Sequence, residues 1–320
     1  MKSKLKYINI GCGDKWHKDW VNLDMHSRSP YVVECNMLNG IPYGDNEFEV
    51  VYHSEVLEHF QKENATIFIK ECFRILKPNG VMRIVVPDLE NIINEYHRLL
   101  QQNIQNPDPI SVANYDWILL ELYDQAVRNS NEGDMAKILS DDKIINEKYI
   151  IDRIGYVGRS ILDYHRGHVK GKMKKGNVLQ GIKKIITNKN VFKHMLLNVL
   201  LNKKEKEMME LGKFRLSGEI HYWMYDRFSL TRILSNCGFK HIEIKSPFES
   251  NIPWKVLPPK IAGKTESLRT GPLMLSKAFP FSLLFSLRVS PDSPGPIGSI
   301  PGTRPWNKTW GRTWRKIPLL

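Results

Sequence analysis

The chain has 320 residues, 42% hydrophobic and 25% charged, with a formal net charge of +13, which is enough apolar material for one core and an added cap. Four cysteines, Cys12, Cys35, Cys72 and Cys237, fall on predicted core elements with no close pairing motif, which excludes a disulfide scaffold and suits reduced thiols in the cytoplasm. No apolar signal segment opens the chain and no internal repeat is apparent.

The first element is a short apolar run, Tyr7-Ile8-Asn9-Ile10, ending in Gly11-Cys12-Gly13; the second is Val21-Asn22-Leu23, ending in Asp24. Glycines are needed where the backbone turns sharply and where a ligand lies against the main chain. An acid at the tip of the neighbouring strand is the usual clamp for two ribose hydroxyls. A dinucleotide fingerprint needs a third glycine and a later acid; here Trp16 takes the glycine's place and Asp24 comes early. Parallel strands normally need a crossover of about a dozen residues or more, so the first helix is expected to shrink to little more than a turn. Without its N-terminus there is no pyrophosphate site. A ribose-bearing cofactor lacking pyrophosphate is implied: S-adenosylmethionine fits, and NAD fits badly.

Further along, Asp45-Asn46 is a turn before the buried strand Phe48–Tyr52. Ala65, Phe68, Ile69, Cys72, Ile75 and Leu76 recur at helical spacing and give one apolar face. Lys77-Pro78-Asn79-Gly80 stops that helix, and Val81 to Val86 reads as a strand covered on both sides. Strands alternating with helices imply an α/β fold, a doubly wound and mostly parallel Rossmann-like sheet with a shortened first helix.

The segments Asp45–His59 and Phe73–Pro87, in this order after the glycine loop, resemble class I S-adenosylmethionine-dependent methyltransferases of the type 11 kind. The resemblance covers roughly residues 6–90 and resumes at His221–Ile244. It implies that Gly11, Cys12 and Gly13 pass under the cofactor and that Asp24 takes the ribose. Asn36, with Met37 beside it, stands where relatives read the adenine amino group with an acid, and an asparagine oxygen can accept the same bond. Asn9 stands where many relatives carry an acid. His53 and Ser54 are expected to face the methionine moiety and the acceptor. For a hydroxyl acceptor the candidate bases are His53 and His221, since a free imidazole titrates near neutrality. Glu55 and His59 are four apart without a His-Glu-x-x-His pattern, so no metal site is expected. Tyr222, Trp223 and Tyr225 line an acceptor pocket or pack the helix Arg227–Cys237 onto the sheet; strand Lys240–Ile244 follows.

Residues 1–90 and 217–256 are therefore expected to form the methyltransferase core, and residues 91–216 a long helical insertion capping the cofactor mouth. Three or four helices are expected there, around Ile92–Leu100, Trp117–Val127, and Tyr149–Ile154 with Ile161–Leu162. Residues 101–164 hold six basic and eleven acidic side chains, whereas residues 165–216 hold fourteen and three. That basic block, with Lys170–Lys175 and the apolar Val191–Leu201, suits phosphates, an anionic glycan, nucleic acid or an anionic membrane surface, or is a solvated helical face. Residues 257–320 carry ten of the eighteen prolines and ten basic groups against Glu266 and Asp292. They read as a mostly disordered tail foreign to the fold, either a membrane-touching appendage or a terminus read in the wrong frame. Val256-Leu257 and Pro272–Leu275 are the poor candidates for a closing strand.

The resulting expectation is a methyltransferase for a small molecule or a sugar or glycan precursor, acting on oxygen, in surface polysaccharide synthesis by analogy with such relatives. A cytoplasmic protein with peripheral membrane contact through the basic insertion or tail is expected. RNA methylation guided by the basic block lacks a recognisable RNA module. A non-catalytic partner subunit that keeps the fold is the other alternative.

Overall fold

Seven strands form one sheet in the computed structural model, which describes residues 6–27, 29–130, 133–167, 197, 200–245, 252 and 282–290. They are β1 (Tyr7–Ile10), β2 (Val21–Asp24), β3 (Val33–Glu34), β4 (Phe48–Ser54), β5 (Leu76–Pro87), β6 (Lys240–Lys245) and β7 (Ser282–Arg288), in the order β3-β2-β1-β4-β5-β7-β6. The first five pair in parallel, while β7 runs antiparallel to both β5 and β6. The strand order reverses between β1 and β4, and ligands of such sheets bind beyond the carboxyl ends of the strands at that point.

Alternation along each strand divides the core between two faces. Ile8, Ile10, Val51, Ile84 and Val86 turn to the face that carries α1 (Lys62–Ile75) and the later helix Arg227–Asn236. Tyr7, Val50, Tyr52 and Val85 turn the other way, where Trp20, Ile252 and Leu284 cover them. The expected face of α1 is the one it buries, through Ala65, Phe68, Ile69, Cys72 and Ile75. The helix ends where the sequence stops it, and Asn79 takes a left-handed φ of 63° in the turn that follows.

No helix joins β1 to β2. The connection is instead held by polar side chains: Asn9 Nδ2 donates to the Lys15 carbonyl at 3.0 Å, and Asn22 Nδ2 donates to the carbonyls of His17 and Trp20, each at 2.9 Å. Trp16 stacks on Tyr31 at 4.7 Å. The missing crossover helix leaves a cleft above the carboxyl edge of β1 and β2.

The insertion is helical: α2 (Leu89–Gln105), α3 (Pro109–Val127), α4 (Asp134–Leu139), α5 (Glu147–His165) and α6 (Lys203–Arg215); α7 (Arg227–Asn236) then returns to the sheet. Here α4 and α6 are additions to the expected set. The two groups expected around Ile154 and Ile161 share α5, which breaks at Gly155 with φ 59°. Trp117, Leu139, Ile150 and Leu162 give the insertion a small core of its own. A buried ion pair, Arg153 with Glu121 at 2.6 Å, ties α5 to α3, and Trp117 Nε1 donates to the same carboxylate. The described part of the basic block is α6, capped reciprocally by Asn202 and Glu205 and burying no residue. Lys170–Lys175 and most of Val191–Leu201 lie outside the described residues.

The expectation for the last 64 residues needs correction. Ser282–Arg288, inside the stretch read as a foreign tail, is the strand that closes the sheet. It is central rather than marginal: Leu283, Phe285 and Leu287 join the α1-side core and Leu284 the opposite one. Both faces are apolar, so the run shows none of the alternation that marks an ordinary antiparallel strand. The candidates Val256-Leu257 and Pro272–Leu275, and the rest of the supposed tail, lie outside the described residues. No helix among the described residues is long and apolar enough to cross a membrane.

Candidate functional site

The cleft left by the missing helix is a cavity of about 430 Å³ whose wall includes Gly11, Asp24, Met25, His26, Met37, Leu38, Glu55, Val56, His59, Asn64 and Tyr222. Gly11 sits at φ +65°, and a Cβ there would lie 2.3 Å from Val56 Cγ2. Only glycine satisfies both conditions at once. The amides of Gly11 and Cys12 both donate to the Leu23 carbonyl, at 2.8 and 3.1 Å, which lashes the loop to the end of β2.

Asp24 is held in place by two backbone donors. Gly13 N–H donates to Oδ2 at 2.8 Å and His26 N–H to Oδ1 at 3.1 Å. Each carboxylate oxygen keeps a free lone pair toward the cavity, which is what two adjacent ribose hydroxyls require. Beyond β3, Met37 and Leu38 give the apolar wall suited to an adenine ring.

The other residues expected at the cofactor are placed differently. Asn9 is buried and spends its amide on Lys15, fixing the loop rather than facing the cavity. Cys12 is buried, and that burial together with the nearby Asp24 charge pushes its thiol up to about 12. Gly13 reaches the cavity only through its bond to Asp24. The Asn36 oxygen accepts from Leu38 N–H at 3.0 Å, capping a short 3-10 turn and keeping one lone pair, and Asn36 is not part of the first cavity's wall, which Met37 beside it lines. Ser54 lies on neither cavity wall.

His53 is the clearest correction. It is fully buried, its ring packs edge-on against Phe68 at 5.1 Å, and neither ring nitrogen finds a hydrogen-bond partner among the described residues. Burial pushes it down to about 3, so it is a neutral core residue closed off from solvent. It lies two residues beyond Val51 and therefore turns to the same, helix-covered face.

A second cavity of about 120 Å³ opens between the core and the insertion. Its wall mixes Ile92, Met135, Ile154 and Met224 with Asp88, Glu121, Gln125, Arg153, His221 and Ser282. His221 is mostly enclosed, and burial, with His59 and Arg128 nearby, pushes it down to about 3. Tyr222 lines the first cavity, whereas Tyr225 is buried and Trp223 is partly exposed beneath Lys62 at 5.0 Å. The segment returning from the insertion is stitched to the turn after β4 by Tyr222 N–H, which donates to the Glu58 carbonyl at 2.8 Å, and to α3 by His221 N–H, which donates to the Gln125 carbonyl at 3.0 Å.

Two acids that sequence reasoning left without a role sit at this junction. Glu55 belongs to the walls of both cavities. It adopts φ 55° at the end of β4, a left-handed conformation uncommon for a residue with a side chain. Glu58 is fully buried beside it. Burial pushes both carboxyls up, and the Glu55 charge raises Glu58 further. The available signal was the position of Glu55 one residue past a strand at the switch point; nothing local marks Glu58.

Residues 10–84 match a family model described as a methyltransferase domain. No curated protein matches the sequence. Among solved structures, a S-adenosylmethionine-dependent methyltransferase from Archaeoglobus fulgidus is 12% identical, covering 90% of this chain and 87% of that one, with a TM-score of 0.34. The YcgJ protein from Bacillus subtilis is 15% identical over 30% of this chain and 53% of its own length, with a TM-score of 0.23. The 1,6-didemethyltoxoflavin-N1-methyltransferase from Burkholderia thailandensis, solved with its substrate and S-adenosylhomocysteine, is 15% identical over 26% of this chain and 44% of that one, at 0.22. The matched segment runs from the last residue of β1 through the glycine loop, Asp24 and α1 into β5 and supplies most of the first cavity's wall, the rest coming from Leu216–Glu219 and Tyr222. The likeness to a methyltransferase domain thus lies in residues 10–84, which hold the glycine loop, Asp24 and the turn after β4.

Proposed function

We propose that the protein moves the methyl group of S-adenosylmethionine to a hydroxyl of a small polyhydroxylated acceptor, a sugar or glycan precursor of the kind used for surface polysaccharide. The observation that supports this reading is Glu55, the carboxylate shared by the first cavity and the second, whose mixed wall carries several polar groups. Asp24 and Gly11 would hold the cofactor in the first. Asp88, Gln125 and Ser282 offer the second a set of hydrogen-bonding groups suited to hydroxyls.

Methyl transfer is an in-line displacement, so holding oxygen, carbon and sulfur in line supplies much of the acceleration. The acceptor oxygen forms a bond to the methyl carbon while the carbon–sulfur bond breaks and its electron pair stays on sulfur, leaving S-adenosylhomocysteine. The hydroxyl proton passes to a base. Glu55 is placed for that task, whereas His53 is sealed in the core. Ser282 Oγ donates to Glu55 Oε1 at 3.3 Å and steadies it.

The test is methyl transfer from labelled S-adenosylmethionine to a panel of nucleotide sugars, with amine-bearing and RNA acceptors as controls. Hydroxyl methylation should appear, and Glu55→Gln should lower kcat by about a hundredfold or more while cofactor affinity changes little. Methylation confined to amines or RNA, or an unaffected Glu55→Gln enzyme, would overturn the proposal.

A further inference from the structure

The structure assigns a binding site for a first-row transition-metal dication to Glu58, His59 and His221, at the partition between the two cavities. One ligand atom from each of the three lies within 4.8 Å of the others. Zinc with bonds near 2.1 Å to nitrogen and oxygen needs donors about 3.4 Å apart in a tetrahedron, so the set would have to draw together on taking up the ion. The imidazoles of His59 and His221 meet edge to face, with ring centres 4.8 Å apart.

Two independent features point to a ligand. The Glu58 carboxyl is completely buried and pressed against that of Glu55, with which it shares a hydrogen bond, and among the described residues no side-chain N–H reaches it. Two carboxyls held together out of water repel one another when ionised, which a bound cation would relieve. His59 is already oriented as a metal-binding histidine is: its Nδ1 stands 3.0 Å from the Ile220 carbonyl. A carbonyl can only accept, so Nδ1 carries the hydrogen and Nε2 presents its lone pair. Metal-bound histidines are fixed in the same way by a carbonyl or carboxylate on the far nitrogen.

Two imidazoles and one carboxylate favour zinc, iron or cobalt over magnesium or calcium, which prefer all-oxygen shells. Arg128 acts on both imidazoles, and Glu219 opposes it at His59. Because His59 lines the first cavity and His221 the second, a metal here would sit beside the path between cofactor and acceptor. It would also clamp the segment returning from the insertion onto the end of β4.

The assignment stands apart from the acceptor reading and is tested apart from it. Full-length protein stripped with a chelator should take up one Zn²⁺ per chain by calorimetry, and Co²⁺ should give visible ligand-field bands typical of a low-coordinate nitrogen and oxygen site. His221→Ala and the near-isosteric Glu58→Gln should each weaken Zn²⁺ binding at least tenfold, whereas His97→Ala on exposed α2 should not. The Glu58 variant keeps the shape of the site if loss of the imidazole disturbs folding. Absence of stoichiometric uptake by the parent protein, or full affinity in Glu58→Gln and His221→Ala, would overturn the assignment. Either result leaves methyl transfer to be judged on its own assay.

Discussion

Replacing Asp24 by alanine tests the cofactor site most directly. The carboxylate accepts from Gly13 and His26, and in the proposed cofactor site it would also accept from two ribose hydroxyls. A hydrogen bond to a charged group is worth about 1.5–3 kcal/mol net. The rim is open to water, so the lower figure applies to each of the two ribose bonds, giving about 3 kcal/mol, or roughly a hundredfold in Kd. Asp24→Asn keeps one accepting oxygen and should lose only about half of that energy, roughly tenfold. The assay is calorimetric titration with S-adenosylhomocysteine, alongside thermal melting to show that the fold is intact. Ordered losses, with alanine well beyond asparagine, are the expected result. If Asp24→Ala binds within about threefold of the parent with an unchanged melting curve, the ribose is held elsewhere and the site assignment fails.

Gly11→Ala should destabilise the domain, because it adds a strain of about 1–2 kcal/mol at positive φ to a contact of 2.3 Å with Val56. Adding Val56→Ala should recover the contact part only, and a double-mutant cycle with additive effects would deny the clash. In β7, Phe285→Ala should cost about 3–5 kcal/mol in urea unfolding; a loss below about 1 kcal/mol would show that the strand is dispensable. Arg153→Met strands the buried Glu121 carboxylate and should cost about 3–5 kcal/mol, whereas an apolar replacement of both partners should cost far less; equal losses would mean that the pair matters only as packing. Burial raises the Cys12 thiol from 9.0 to about 12 and the Cys237 thiol to about 11. Their contribution to stability is therefore whole below pH 9.0 and is lost as pH climbs toward about 12. At pH 8 both should resist alkylation in the native protein and react once it is unfolded; rapid native labelling of Cys12 would contradict its burial.

What the sequence disclosed follows the range of the interactions involved. Helix α1 was legible to the residue because Ala65, Phe68, Ile69, Cys72 and Ile75 obey a local period against a single wall. The shortened first crossover followed from chain length, since too few residues separate Ile10 from Val21 for a helix to form. Gly11, Asp24 and Met37 reach the cavity because they end strands or begin the turns after them, positions that local pattern reveals. The seventh strand escaped because it lies in the middle of a sheet: Leu283 to Leu287 packs on both faces, and a short unbroken apolar run has no period to read. Its proline-rich and basic surroundings made the run look like part of a tail.

The error over His53 was of another kind. Its place at the end of β4 was read correctly, but the face was not considered. Parity with Val51, which packs under α1, already sends His53 into the core, and its register opposite Ile10 and Ile84 leaves no solvent route. The chemistry instead gathers one step later, where Glu55 leaves the strand with a left-handed turn and Glu58 and His59 follow in a short 3-10 turn. Their partner His221 arrives after the whole insertion: the bond between His59 and the Ile220 carbonyl spans 161 positions. No window along the chain contains both halves of that junction. The segment returning from the insertion supplies residues that line both cavities. Acceptor choice should then change with the residues of α3 and α5 that face the second cavity while cofactor affinity stays fixed, so exchanging Gln125 or Ile154 should shift the acceptor KM and leave S-adenosylhomocysteine binding within about twofold. Parallel changes in both would mean that the two cavities act as one.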